Sequence, residues 1–215
     1  MNEILLEVKL PQQKKRAVVL IGRFSPPHLG HYKAINQAKK FIRERPDLKL
    51  EATPIVVVIA GKKTSLDKKK NPLSPEDRIS FMKYSDRANG VIFEIASNAF
   101  EAFEKVRELG FEPIAVAAGD DRAGGYLELL NKNFVSPQGK KIEHYIVPNL
   151  DRQEANLGDV KKSPVIDVKT VSGTMVRAAI DNDYEDVFIK LVGLEKKPKL
   201  AKLMFAKIQA AMGGE

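Results

Sequence analysis

The chain has 215 residues, 43% of them hydrophobic, enough to bury the core of one ordinary domain and too apolar for a disordered segment. It contains no cysteine, which excludes disulfides, thiolate nucleophiles and cysteine-based zinc sites, and no apolar run approaches the ~20 residues of a membrane span. A formal charge of +8, from 36 basic and 28 acidic residues, fits an anionic ligand, either a small polyanion such as a nucleotide or a nucleic acid.

Much of the excess charge lies in short separate clusters, such as Lys14-Lys15-Arg16, Lys68-Lys69-Lys70 and Lys196-Lys197, which read first as solvated loops and edges. The first residues, with Glu3 and Glu7, lack the charge pattern of a signal peptide, and the expectation is a cytoplasmic protein.

Residues 1–15 are ambiguous between strand and short helix, with Pro11 ending the element. Ala17–Ile21 is a continuous β-branched run, the mark of a strand buried on both faces. A turn follows, Gly22-Arg23-Phe24-Ser25-Pro26-Pro27-His28-Leu29-Gly30-His31, and then Ala34, Ile35, Ala38, Phe41 and Ile42 recur at helical spacing up to Pro46. Strand, glycine-punctuated turn and helix build a phosphate site, because backbone N–H groups at a helix N-terminus face an anion that glycines let approach. The two imidazoles, His28 and His31, add hydrogen-bond donors.

Pro54–Ala60 is a second buried strand, ending at Gly61, and residues 61–72 form a lysine-rich loop that includes Lys62 and Lys63. Ser74-Pro75-Glu76-Asp77 starts a helix, with an N-cap, a proline at the first helical position and acid in the first turn. Gly90–Ile95 reads as a third strand. Phe100, Phe103, Val106 and Leu109 then stripe a helix capped by Ser97 and stopped by Gly110. Pro113–Ala118 is the fourth strand, running into a turn at Gly119-Asp120-Asp121-Arg122; a short helix around Gly125–Leu130 and a polar loop to Gly139 follow.

His144–Val147 reads as a fifth strand, residues 148–163 as a long polar loop, and Val165–Val168 as a short strand. Val171-Ser172-Gly173-Thr174 caps a helix through Met175, Val176, Ala179 and Ile180. Leu200, Leu203, Met204, Ile208 and Met212 stripe a basic C-terminal helix. Strands alternating with helices predict an α/β, Rossmann-like, doubly wound parallel sheet of about five strands with helices on both faces. A single domain over 1–215 is expected, with a core at about 16–195 and the C-terminal helix at about 196–213. Ligands on such sheets bind at the carboxyl ends of strands, so the turns at 22–31, 119–122 and 171–177 should converge on one crevice.

Gly22-x-Phe24-x-Pro26-x-His28-x-Gly30-His31 resembles the first signature of the nucleotidylyltransferase superfamily, which shares an HxGH turn with class I aminoacyl-tRNA synthetases. Ser172-Gly173-Thr174-Met175-Val176-Arg177 resembles its second, a Ser/Thr turn opening a helix with an arginine three residues after the threonine. The resemblance implies that His28, His31 and Arg177 are catalytic, stabilising the charge that develops as pyrophosphate leaves. It implies nucleotide contacts for Gly22, Arg23, Phe24, Gly30, Asp120, Ser172, Gly173 and Thr174. Taken alone, Ser172 and Arg177 would read as an ordinary N-cap and a surface arginine, and Phe24 as a residue that shapes the turn.

Arg78, after Asn71-Pro72-Leu73-Ser74, resembles an arginine of archaeal-type nicotinamide mononucleotide adenylyltransferases, in a region that helps bind substrate. Arg78, Arg122, Lys62 and Lys63 are therefore acceptor-binding candidates. The stretch Gly119–Asn131 with the 148–163 loop looks as much like phage-encoded cytidylyltransferase-like proteins.

The implied reaction transfers a nucleoside monophosphate, AMP from ATP before CMP from CTP, to a small phosphate-bearing acceptor, with nicotinamide or nicotinate mononucleotide first. Pantetheine-phosphate adenylyl transfer and cytidylyl transfer are the alternatives. Mg²⁺ would be held by the phosphates and by no protein metal site. A non-catalytic nucleic-acid-binding protein, using the lysine clusters and basic C-terminal helix, is the reading from another class. No membrane partner is implied, and an oligomer is left open.

Overall fold

A computed structural model describes residues 14–61, 66–134, 142–148, 157 and 166–213, without the side chain of Asp120. The expected element at 1–13, Lys62 and Lys63, the end of the polar loop at 135–139, and nearly all of the 148–163 loop lie outside the described residues.

The apolar runs become strands β1 (Lys15–Gly22), β2 (Ile55–Ile59), β3 (Ile92–Ala96), β4 (Phe111–Ala117) and β5 (Tyr145–Ile146). They form one parallel sheet in the order β3-β2-β1-β4-β5. Central β1 pairs with β2 through Val19 and Ile55, and with β4 through Val19 and Val116. Ala17, Val18 and Val19 are fully buried, as a strand covered on both faces requires.

Alternation along β1 sends side chains to two apolar layers. Val18 and Leu20 join Val56 and Val58 under helices α1 (Leu29–Glu44) and α2 (Pro75–Tyr84), while Ala17, Val19 and Ile21 join Ile55, Val57 and Val116 under α3 (Ala99–Glu108) and α4 (Asp120–Asn133). Three C-terminal helices, α5 (Gly173–Asp181), α6 (Glu185–Val192) and α7 (Pro198–Gly213), extend the first layer; Phe188 of α6 meets Phe205 of α7 edge-on at 5.2 Å. The chain lays β2 and β3 on one side of β1 and β4 and β5 on the other. The direction therefore reverses between β1 and β4, where α/β sheets leave a crevice.

Several expectations are corrected. Gly119–Arg122 is not a plain turn: Gly119 is the N-cap of α4, a 14-residue helix longer than the short one expected. Where a strand was read at 165–168, the described part, from Ile166, is irregular and then a 3₁₀ turn at Val168–Thr170. The Asp167 carboxylate accepts the Lys169 N–H at 2.9 Å and its carbonyl accepts the Thr170 N–H, local bonds that displace sheet pairing. Asn98, not Ser97, caps α3, accepting the Glu101 N–H at 3.0 Å. Phe100 and Leu109 are exposed, and Ala102 completes the buried stripe with Phe103 and Val106; on α7, Leu203 is exposed and Ala201 and Phe205 are buried. Helix α6 was not expected from sequence at all.

Candidate active site

The glycine turn between β1 and α1 is held by its own side chains. His28 is the N-cap of α1, in extended geometry and almost fully buried. Its Nδ1 accepts the Gly30 N–H at 3.1 Å, and the His28 N–H donates in turn to Nδ1 of His31 at 3.2 Å. This is a capping box in which imidazoles replace the usual hydroxyl and carboxylate. Since each Nδ1 accepts a backbone N–H, each ring carries its proton on Nε2. The two rings lie 3.7 Å apart, and Phe24 packs on His31 at 4.8 Å.

Two glycines in the turn answer to close approach. A Cβ at Gly22 would come within 3.0 Å of the Phe24 ring, and one at Gly30 would meet the His28 ring at 3.0 Å and the Val171 carbonyl at 3.1 Å. Phe24 adopts φ 50°, a left-handed geometry uncommon for a bulky residue, and the Ser25–Pro26 peptide is cis.

The second turn begins α5. Ser172 caps it, its Oγ accepting the Met175 N–H at 3.2 Å. Arg177 reaches back from that helix: Nη1 donates to the Ser25 carbonyl at 2.9 Å and to the Lys70 carbonyl at 3.4 Å, and Nη2 donates to Thr174 Oγ1 at 3.1 Å. Burial, and then the neighbouring Arg23 charge, lower the Arg177 pKa from its ordinary value. A Cβ at Gly173 would lie 3.1 Å from the Ser25 carbonyl oxygen, so the two turns are in direct backbone contact.

These turns and the start of α4 line a cavity of about 470 Å³ at the carboxyl ends of β1 and β4. From the first turn it takes Gly22 to Ser25, His28, Gly30 and His31; from the second, Ser172, Gly173, Thr174 and Arg177; from the third, Gly119, Asp121 and Arg122. Its ionisable lining is one-sided. Arg23, Lys33, Lys70, Arg122, Lys169 and Arg177 face a single carboxylate, Asp121, among the described residues, and Asp121 already pairs with Arg122 at 3.4 Å. Helix N-termini, imidazole N–H groups and guanidinium groups around one cavity suit a polyanion.

Arg78 stands apart from the other candidates. It is 2% exposed and does not line the cavity. Nε and Nη2 donate to the Leu73 carbonyl at 2.9 and 2.7 Å, and Nη1 donates to the Arg23 and Ile59 carbonyls at 3.0 and 3.3 Å. Burial lowers its pKa to about 10. Arg78 ties the loop before α2 and the end of β2 to the first turn, from beneath. The sequence reading also missed Ser25, Lys33, Lys70, Asp121 and Lys169 as cavity residues. Lys33 lies one helical turn beyond Gly30, a spacing that would have found it.

Among the described residues no group of three or more His, Cys, Asp and Glu side chains could hold a metal ion. Nor, among them, is any helix long and apolar enough to cross a membrane.

A parallel sheet with a cationic crevice at its switch point defines an α/β protein whose cavity lining suits an anionic ligand. Residues 19–179 match the family model described as Cytidylyltransferase-like, and the chain belongs to that family, within the nucleotidylyltransferase superfamily. No curated protein matches the sequence. A solved structure titled as a macrolide-efflux protein from Streptococcus pneumoniae is 21% identical with a TM-score of 0.48; the match covers 85% of this chain and 56% of that one.

Proposed function

We propose that the protein transfers a nucleoside monophosphate, AMP from ATP in the first instance, to a small phosphate-bearing acceptor and releases pyrophosphate. The observation that carries this reading is the pair of imidazoles, whose Nδ1 atoms both accept backbone N–H groups in a cavity ringed by cations. Each ring is thereby fixed with Nε2–H as its donor. An acceptor phosphate oxygen attacks the α-phosphorus in line, forming one P–O bond as the bond to the β-phosphate bridging oxygen breaks. The leaving pyrophosphate gains negative charge, which His28, His31 and Arg177 stabilise, so the chemistry is positioning and electrostatics with no covalent protein intermediate.

Gly173 and Thr174, at the N-terminus of α5, offer backbone N–H groups to the β- and γ-phosphates, and Arg23 and Lys70 line the same cavity as Arg177. Asp120, Asp121 and Arg122, at the start of α4, are proposed to meet the nucleoside or the acceptor. Lys33 and Lys169 supply the second cluster of charge that a phosphorylated acceptor such as nicotinamide or nicotinate mononucleotide requires. Mg²⁺ brought by the triphosphate would supply charge neutralisation at the transferring phosphates.

The nucleic-acid reading draws less support. Three lysines in and just before the C-terminal helix are committed to intramolecular pairs: Lys197 with Asp86 at 2.8 Å, Lys202 with Glu185 at 3.5 Å and Lys207 with Asp77 at 2.5 Å.

The test is pyrophosphate release from ATP and CTP against a panel of phosphorylated acceptors, with His31→Ala as control. Turnover by the wild type and a loss of about 10²–10³-fold in the variant are expected. Full activity in His31→Ala would sink the mechanism, and so would binding to nucleic acid that falls steeply with salt without turnover of any triphosphate.

A further inference from the structure

Arg177 is held by three segments at once. Nη1 donates to the Ser25 carbonyl at 2.9 Å on the first turn and to the Lys70 carbonyl at 3.4 Å on the loop after β2, and Nη2 donates to Thr174 Oγ1 at 3.1 Å on its own helix. The first turn is fixed by the histidine capping box, and the start of α5 by the Ser172 cap. The loop after β2 is closed by Asp67. Its carboxylate accepts the Lys70 N–H at 3.0 Å and lies 3.1 Å from Lys70 Nζ, and its carbonyl accepts the Asn71 N–H at 2.8 Å. The Lys70 N–H, and then its ammonium, hold the Asp67 carboxyl below its ordinary pKa. Asp67 does not itself line the cavity, whereas Lys70 and Arg177 do.

We infer that Asp67 is a positioning residue: by closing the 67–71 turn it sets the Lys70 carbonyl against Arg177 and holds Lys70 at the cavity, so that both cations meet the triphosphate in one arrangement. The inference rests on the proposed reading of the cavity as a triphosphate site and adds a residue that acts on the ligand through Lys70 and Arg177. The charge of Asp67 and its geometry act in opposite senses. A carboxylate beside these cations lowers the positive potential that draws a polyanion, so removing the charge alone should strengthen binding. Loss of the turn should weaken it, because Lys70 and Arg177 must then be ordered at the expense of binding. Asparagine separates the two. Its amide oxygen accepts the Lys70 N–H as the carboxylate does, but carries no charge.

The experiment measures binding, not turnover, by calorimetric titration with inorganic triphosphate, and thermal melting of the ligand-free protein, for wild type, Asp67→Ala and Asp67→Asn. Asp67→Ala should bind at least about threefold more weakly than wild type, and Asp67→Asn as tightly as wild type or more so. Both variants should melt within about 4 °C of wild type, since the turn bond is local and exposed. An Asp67→Ala variant that stays within that threefold margin, or binds more tightly, would overturn the inference and leave Asp67 a counter-ion. Asp67→Asn closer in affinity to Asp67→Ala than to wild type would also overturn it, because the charge and not the turn would then matter. Weaker binding with a larger fall in melting temperature would make Asp67 a residue of the fold and overturn the positioning role. Wild-type protein that binds no triphosphate would overturn the triphosphate site itself, and this inference with it.

Discussion

Arg78→Ala separates two roles for one residue, a substrate ligand as the sequence resemblance implies, or a strut beneath the first turn as the geometry has it. The guanidinium makes four hydrogen bonds, of 2.7 to 3.3 Å, to the carbonyls of Leu73, Arg23 and Ile59. A bond to a charged group contributes about 1.5–3 kcal/mol, so four at the lower bound give about 6 kcal/mol. Burial opposes this. A pKa lowered from 12.5 to about 10 corresponds to about 3 kcal/mol against the charged form. The difference leaves a net loss of about 3 kcal/mol for the alanine variant, or a melting temperature lower by about 6–12 °C in a chain of this size.

The sign of the pH effect gives a control. Folding lowers this pKa, so the buried charge costs stability in full below about 10, and the cost is relieved only as the pH rises above it. The difference between wild type and variant should therefore be flat from pH 6 to 9. Arg78→Lys should recover only part of the loss, because one ammonium cannot span three carbonyls on separate segments. Thermal melts monitored by circular dichroism, with steady-state kinetics on the same samples, decide the matter. A variant that melts within a degree or two of wild type but shows a raised KM for one substrate would refute the strut and restore the ligand.

Ser172→Ala removes the N-cap of α5 and should cost about 1 kcal/mol, lowering the melting temperature by about 2–4 °C in the same assay. Gly173→Ala should behave differently. Its new Cβ would press at 3.1 Å on the Ser25 carbonyl, which is backbone and cannot swing away, and at 3.2 Å on Arg177 Nη1. Separation of the two turns by a few tenths of an ångström should lower kcat/KM for pyrophosphate release at least about tenfold while the melting temperature falls by only a few degrees.

The sheet was legible because its strands are short continuous apolar runs, and the C-terminal ends of those runs placed the crevice. Ala17–Ile21 could be read with its neighbours masked and the answer would not change. Helix α6 was not legible in the same way. Its eight residues pack against α5 and α7, and their helical spacing is too short a stretch to stand out from the loop before it. At 166–168 apolar content suggested a strand, but the Asp167 carboxylate accepts the Lys169 N–H and closes a local turn. Local hydrogen bonds outweighed composition.

The candidate site divides along the same line. His28 and His31 bind each other's turn over three residues, and Ser172 caps its helix over three, so the fragment of sequence that names these residues also contains their partners. Arg78 and Arg177 depend on partners far away. Arg78 donates to a carbonyl 55 residues back, and Arg177 to one 152 residues back. Both bonds end on the first turn, at Arg23 and at Ser25, and neither carbonyl carries any identity that a sequence could display. A motif therefore names the groups proposed to touch phosphate but is silent on the distant carbonyls that hold those groups in place. A guanidinium beside a phosphate motif reads as a phosphate contact, and only the folded chain shows that Arg78 makes four hydrogen bonds to backbone carbonyls.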